Sequence, residues 1–473
     1  MNNKVTVISY KRKKDPIDVP VLAVRIAAVL AALGVFAVYA VSNIEKFKWY
    51  DFAMAFSALA LFVLVFELSV PNILRTICGK DEPIVYEAGN RNKTAKRFLV
   101  IVLIALGLHV LTYVIGVLMY TLLQKGSLQN IPASYWKTAW MKGNTDAKHY
   151  INIAENGYQV DGDDKLLIVF FPMLPYCIRA FNLVFANSYV SATIINAIAV
   201  SLSAGMIYLT FLPLFGEKHS RAAAFIAILL PGAMFMNSPM TEPLFVLFSA
   251  CGFYFIQKRR YVPAGIFTAL AGFTRSLGVL LAVATALVGL GHVIGLIRQK
   301  KPVGKTVALL ITGLMISTFG TLSYLYINYS LHGDPLKFFE YQWSNWHQKA
   351  CPFFDSPRYF IEQAKNAYAN KPETLYSLWI PQYIAIFGSL ALMATKVKKL
   401  PSNYTVYFLL YFAVSVGCTW LLSSVRYLSA AIPLIAAFAL IPRKKAGNII
   451  LFTVLSAAYL GYMLMYMQRL GIY

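Results

Sequence analysis

Runs of about twenty apolar residues recur from one end of the chain to the other, as in Val19 to Ala40, Phe98 to Leu122 and Val307 to Ile327. An α-helix of that length rises roughly 30 Å, the thickness of the hydrocarbon layer of a bilayer. In that layer the backbone must satisfy its own hydrogen bonds, so the runs are expected to be helices. Composition agrees. Of 473 residues, 58% are hydrophobic and 13% charged, against about 25% charged in an ordinary soluble domain. These figures exclude a soluble enzyme, a disordered chain and a disulfide scaffold, and point to an all-α polytopic membrane protein.

The net charge of +23 arises from 43 Lys and Arg against 20 Asp and Glu. The cations sit in short clusters between apolar runs: Lys11 to Lys14, Arg75 with Arg91 to Arg97, Lys218 with Arg221, Lys258 to Arg260, Arg298 to Lys305, Lys396 to Lys399, and Arg443 to Lys445. That pattern orients spans by the positive-inside rule, and no nucleic-acid partner is expected. The five cysteines are scattered without CxxC spacing, so neither a disulfide framework nor a metal site is expected. The first apolar run follows Lys14, is too long for a signal-peptide core and lacks a small-residue cleavage site, which makes it a retained span.

With the clusters inside, the threading predicts about 13 transmembrane helices, N-terminus inside and C-terminus outside. The stretch from Leu166 to Phe185 breaks the parity. Phe170, Phe171, Pro172 and Pro175 interrupt it, so it is expected as a partial or re-entrant helix packed on protein at the outer side. Two outer loops are long, Gln124 to Lys165 and Leu331 to Thr374, and long loops in a compact membrane domain usually carry function.

Within the first of these loops, Asp146 to Tyr158 has helical periodicity. Ala147, Tyr150, Ile151, Ala154 and Tyr158 form an apolar stripe, opposite Asp146, His149, Asn152 and Asn156. The expectation is an amphipathic helix lying flat on the outer leaflet, stopped at Gly157 and capped by Asn144, Thr145 or Asp146. An Asp at a helix start is commonly only a cap, and a lone interfacial His is commonly structural.

The residues here also carry a resemblance. Asp146 to Tyr158, followed by Phe170-Phe171-Pro-Met-Leu-Pro175, resembles the W-D-x-x-x-[FY]-x-x-I-A-x-x-G-Y and F-F-P-x-x-P signature of PIG-V-type mannosyltransferases and their bacterial relatives. Ser238 to Phe245 is similar to the family's S-x-x-[ST]-E-x-L-F, and Gly272 to Gly278 to its G-x-T-R-x-x-G. Tyr329 to Leu336 with Gln342 resembles Y-x-x-x-G-[DN]-P-x-x-[FY] and a following Gln, and Arg426-Tyr427 with Pro433 resembles R-Y-x-x-x-x-x-P. The five matches are collinear. Thr145 stands where the family usually has Trp.

The resemblance implies a GT-C glycosyltransferase-like helical bundle. It implies an inverting transferase that moves a sugar, mannose first among candidates, from a polyprenyl-phosphate sugar to an acceptor hydroxyl on the extracytoplasmic side. The acceptor is a glycolipid, a glycan or a protein. Such a reaction needs a base, and Asp146 is the candidate catalytic residue. It needs cations for the lipid phosphate, and Arg275, Arg426 and Tyr427 at the outer ends of spans are the candidates, guanidinium being suited to a bidentate grip. Arg at such a boundary also snorkels for structural reasons.

Glu242, in an outer turn between apolar runs, is expected either to pair with one of these arginines or to bind sugar hydroxyls. His149, Thr274, Asp334, Gln342 and Trp346 complete the sugar or acceptor candidates, though the aromatics of the second loop also fit an interfacial belt. No cofactor and no metal is expected: there is no Walker loop, HExxH or Cys/His cluster, and Asp161, Asp163 and Asp164 fit a solvated turn. The organisation expected is 1–97 as a cytoplasmic tail with two added spans, 98–345 as the catalytic core including loop 124–165, and 346–473 as the rest of the second loop with the C-terminal spans. Short loops and few usable glycosylation sequons favour a bacterial plasma membrane, with the endoplasmic reticulum as the alternative. The rival function is a transporter or flippase of lipid-linked sugars, whose charges would sit near the bilayer midplane.

Overall fold

The computed structural model describes residues 21–81, 91–141, 145–441 and 445–473. Lys11 to Lys14, Asn144, Arg443 and Lys444 lie outside the described residues, as does the side chain of Arg91. The chain opens with three apolar helices, α1 (Val21–Asn43), α2 (Trp49–Ile77) and α3 (Arg91–Lys125). The first outer loop then contributes a single turn, α4 (Tyr135–Thr138), then α5 (Ala147–Asn156), the 3-10 segment Asp163–Val169 and α6 (Met173–Phe185). A central group follows: α7 (Ser188–Leu229), α8 (Glu242–Gln257), α9 (Tyr261–Thr274), α10 (Leu280–Arg298) and α11 (Gly304–His332). The second outer loop folds as α12 (Lys337–Trp346) and α13 (Ser356–Asn370), and α14 (Pro372–Thr374) leads through a π-helical turn into α15 (Ile380–Lys396). The chain ends with α16 (Ser402–Val416), α17 (Ser424–Ser429), α18 (Ile432–Ala439) and α19 (Lys445–Met467).

This is a multi-pass integral membrane protein. Among the described residues, 8 helices are long and apolar enough to cross a membrane, or up to 10 if each of two bent pairs counts as one span. The expected thirteen counted every apolar run as a full crossing. The structure differs because α9 has 14 residues, α16 has 15 and α18 has 8, while α7 runs 42 residues through a break at Gly216. At about 1.5 Å per residue these short helices fall below the hydrocarbon thickness. Gly216 sits at φ 72°, a conformation open to a residue without Cβ. The 3-10 segment Asp163–Val169 meets α6 at 107°, in keeping with the interruption expected around Pro172.

The apolar stripe of α5 does not lie on lipid. Ala147, Tyr150, Ile151 and Ala154 are all buried in the main hydrophobic core, so the expectation of a helix resting on the leaflet is corrected. The reason is local: Arg179 Nε on α6 donates to the Ala154 carbonyl at 2.8 Å, and the Tyr158 hydroxyl donates to the Phe170 carbonyl at 2.6 Å. Together these bonds fold the loop back onto α6 and close α5 at Gly157, where φ is 78°.

Two close approaches hold the elements that carry polar residues. A Cβ on Gly265 of α9 would lie 2.1 Å from the Gly313 carbonyl oxygen of α11, so these backbones touch only because both positions lack side chains. Gly232, in the segment Pro231–Asn237, meets the Val425 carbonyl of α17 in the same way, at 2.4 Å. The first contact fixes α9 against α11; the second fixes α17 against the turn that leads into α8. The N-terminal hairpin is clipped onto the second outer loop, where the Tyr39 hydroxyl bonds the Asp355 carboxylate and Arg358 lies 3.9 Å over the Phe47 ring.

Candidate active site

Asp146 directly precedes α5 with helical φ/ψ, and its side chain makes no cap hydrogen bond. The carboxylate is turned elsewhere: Arg426 Nη2 donates to Asp146 Oδ2 at 2.7 Å. The side chain of Asp146 is 30% exposed, whereas that of Arg426 is 5% exposed. The pair therefore stands at the edge of the core, with the acid on its more exposed side.

Arg426 is held at the start of α17. Gln382 of α15 accepts from the Ser424 backbone N–H at 2.9 Å and from the Ser424 hydroxyl, and donates to the Leu421 carbonyl at 2.9 Å. From that platform Arg426 Nε lies 3.2 Å from Glu242 Oε1. The same Glu242 oxygen accepts from Arg275 Nη1, and that nitrogen also reaches Thr241 Oγ1 at 3.2 Å. Glu242 is 2% exposed at its side chain, and its other oxygen, Oε2, is buried without a hydrogen-bond partner among the described residues. Two acids and two arginines thus form a charge-balanced chain, Asp146–Arg426–Glu242–Arg275. Such a buried group is tolerable because each charge has an opposite neighbour.

Tyr427 lies beside both cations: Arg275 Cζ is 4.7 Å and Arg426 Cζ 5.2 Å from its ring centroid. The Tyr411 hydroxyl donates to the Tyr427 carbonyl at 2.7 Å and fixes the backbone there. Guanidinium over an aromatic face is held electrostatically as well as by packing.

Next to Asp146 an aromatic group forms. His149 stacks on Phe170 at 4.9 Å and 20°, Tyr150 meets the same ring edge-on at 5.3 Å, and Trp346 meets it edge-on at 5.7 Å. Trp346 thereby brings the second outer loop against the first. Burial lowers the pKa of His149 from its ordinary value, with the Asp146 charge opposing that shift. Burial and the Asp146 charge push the Tyr150 hydroxyl well up, and Thr241 is its hydrogen-bond partner.

The structure therefore brings together Asp146, Arg275, Arg426, Tyr427 and Glu242, with His149 and Trp346 alongside. Three other candidates are engaged locally, outside this ionic chain. The Thr274 hydroxyl is buried and bonds back to the Leu270 carbonyl at 2.7 Å, one helical turn earlier. Asp334 is exposed and its Oδ1 accepts from the Leu336 backbone N–H at 2.8 Å, closing the turn before α12. Gln342 bonds Gln348 within its own loop. Sequence reasoning missed Thr241, Tyr150 and Gln382. Thr241 occupies the hydroxyl position of the Ser238 to Phe245 motif, which was a usable signal, and Tyr150 was absorbed into the apolar stripe of α5. Among the described residues no group of three or more His, Cys, Asp or Glu is placed to hold a metal ion.

The family profile described as "Mannosyltransferase (PIG-V)" matches residues 93–334, half of the chain. The chain belongs to the PIG-V mannosyltransferase family. The matched region of this PIG-V family member contains Asp146, Glu242 and Arg275; Arg426 and Tyr427 lie beyond it. No curated protein matches the sequence. Among solved structures, the chain is similar to an oligosaccharyltransferase of Archaeoglobus fulgidus, solved with a tethered acceptor peptide, at 12% identity and a TM-score of 0.39. That likeness covers 77% of this chain and 55% of the other, so the chain spans little more than half the length of that relative. ArnT from Cupriavidus metallidurans, solved with undecaprenyl phosphate, is similar at 14% identity and a TM-score of 0.43, covering 75% of this chain and 64% of ArnT.

Proposed function

We propose that this PIG-V family member is an inverting GT-C-type mannosyltransferase that moves mannose from a polyprenyl-phosphate donor to an acceptor hydroxyl on the extracytoplasmic face of a bacterial plasma membrane. One observation carries the reading: Asp146, at the partly open edge of the site, is joined through Arg426 and Glu242 to Arg275. With the basic turns on the inner side, Asp146 faces outside.

The chemistry follows from the charges. The donor is a phosphodiester with one negative charge. The acceptor oxygen attacks the anomeric carbon from the face opposite the phosphate, the C1–O bond to phosphate breaks, and the acceptor proton passes to Asp146. As Asp146 becomes neutral, the leaving lipid phosphate becomes a dianion. Arg426, which bonds Asp146 in the free protein, then transfers its donor to the phosphate, so the charge balance of the site is kept. Arg275 and Tyr427 complete the phosphate seat. The unpartnered Glu242 Oε2 is the acceptor for a mannose hydroxyl. His149, Phe170 and Trp346 form an apolar wall against which a sugar ring of the acceptor packs.

The test is transfer by the purified protein in liposomes from polyprenyl-phosphate mannose radiolabelled in the sugar, with total membrane glycolipid as acceptor. Label entering product supports the reading. Intact donor crossing the bilayer without product would replace it with the transporter reading.

A further inference from the structure

The first part of α7 ends at Gly216, and the residues immediately beyond that break lie at the end of the bundle remote from Asp146. Arg97 of α3 donates to Glu217 Oε2 at 2.8 Å, whereas the Tyr113 hydroxyl, sixteen residues along the same helix, donates to the Trp136 carbonyl in the first outer loop. At 1.5 Å per residue that separates the two ends by roughly 24 Å. Glu217 is already engaged, since Arg221 Nε stands 3.3 Å from it and the Tyr208 hydroxyl donates to it at 2.8 Å.

Beside Glu217 is a cavity of about 270 Å³. Lys218, His219 and Arg221 line it together with Ala222 and Phe225 from the second part of α7 and Phe452 from α19; among the described lining residues none is a carboxylate. Ile449 and Ile450, on the same stretch of α19 as Phe452, are 60% and 63% exposed, as expected of helix faces turned to acyl chains. We infer that this cavity binds the phosphate headgroup of an anionic membrane lipid, whose acyl chain lies along Phe225 and Phe452 between α7 and α19. The cationic lining selects a phosphate. The phenyl walls select a ligand with a hydrocarbon portion, because a soluble anion gains nothing from Phe225 and Phe452. Basic clusters at this end match the leaflet rich in anionic lipid. The inference stands apart from the transferase reading, which concerns the opposite end of the molecule.

The experiment places the full-length protein in phosphatidylcholine nanodiscs containing a photoactivatable phosphatidylglycerol and maps the crosslinked peptides by mass spectrometry. Labelling is expected in the peptides that hold Phe225 and Phe452. It should fall at least about tenfold, the equivalent of 1.4 kcal/mol, in Lys218→Gln/Arg221→Gln and also in Ala222→Phe, which fills the cavity without changing charge. It should persist in Lys300→Gln/Lys301→Gln, which removes two exposed cations from another turn. An unfolding midpoint for each variant establishes that it is folded. Labelling of the two cavity variants at the wild-type level, or labelling spread evenly over the basic turns, overturns the inference. So does full competition by millimolar inorganic phosphate, which would identify a soluble anion as the ligand.

Discussion

Arg426 and Asp146, 280 residues apart in sequence, are joined by a 2.7 Å hydrogen bond at the mouth of a buried ionic chain. The bond means that the candidate base is not spent on capping α5, the ordinary duty of an Asp at that position. It also couples the two halves of the proposed reaction, because the cation released when Asp146 is protonated is the one the phosphate needs.

Asp146→Asn keeps an oxygen for Arg426 but cannot take a proton. Transfer should fall by about 10²- to 10⁴-fold, with donor affinity changed little in the variant that remains folded. Product formation in a single-turnover assay with labelled donor is the measurement. Full turnover by the folded variant would remove Asp146 from the base role.

The main parts of this site were legible because their positions were chemically expensive. Arg275, Arg426 and Glu242 interrupt apolar sequence at span ends, where a charge needs a partner, and the structure makes them one another's partners. Asp334 and Thr274 stand outside the ionic chain, and their local bonding could not be read from the sequence. Their side chains bond backbone groups two to four residues away, a local use that leaves no mark in composition. The burial of α5 was hidden because a stripe of Ala147, Tyr150 and Ile151 serves equally well against lipid or protein; the deciding Arg179 bond to Ala154 joins separate elements. The span count suffered likewise, since apolar content does not reveal where helices such as α7 break.

His149 should make stability depend on pH. Its folded pKa lies below the ordinary value of 6.5 because burial disfavours the charged ring. Below about pH 6.5 the unfolded chain therefore binds more protons than the folded one, and stability falls as pH drops through that window towards the folded pKa. The unfolding midpoint in detergent should decline from pH 7 to 5 more steeply for wild type than for His149→Gln. Parallel curves would show that the ring does not titrate differently on folding.

Trp346 reaches the site through its edge contact with Phe170. In Trp346→Ala the acceptor KM should rise about fivefold, in line with the loss of about 1 kcal/mol of aromatic packing, while the donor KM stays unchanged. A rise confined to the donor would place the tryptophan on the other side of the reacting carbon.

Glu242 is the hinge of the ionic chain, since one of its oxygens faces both arginines. Glu242→Ala leaves two guanidinium groups buried with only Asp146 to balance them, and should cost about 3–5 kcal/mol of stability. Adding Arg275→Met on that background removes one of the stranded cations, so part of the stability should return, with a coupling of about 0.5–3 kcal/mol. Activity should not return, because the double variant lacks both a phosphate ligand and the carboxylate oxygen offered to the sugar. Unfolding curves for wild type, the two single variants and the double variant close the cycle. If the two effects simply add, Glu242 and Arg275 do not act as a pair, and the phosphate seat would have to be built on Arg426 and Tyr427 alone.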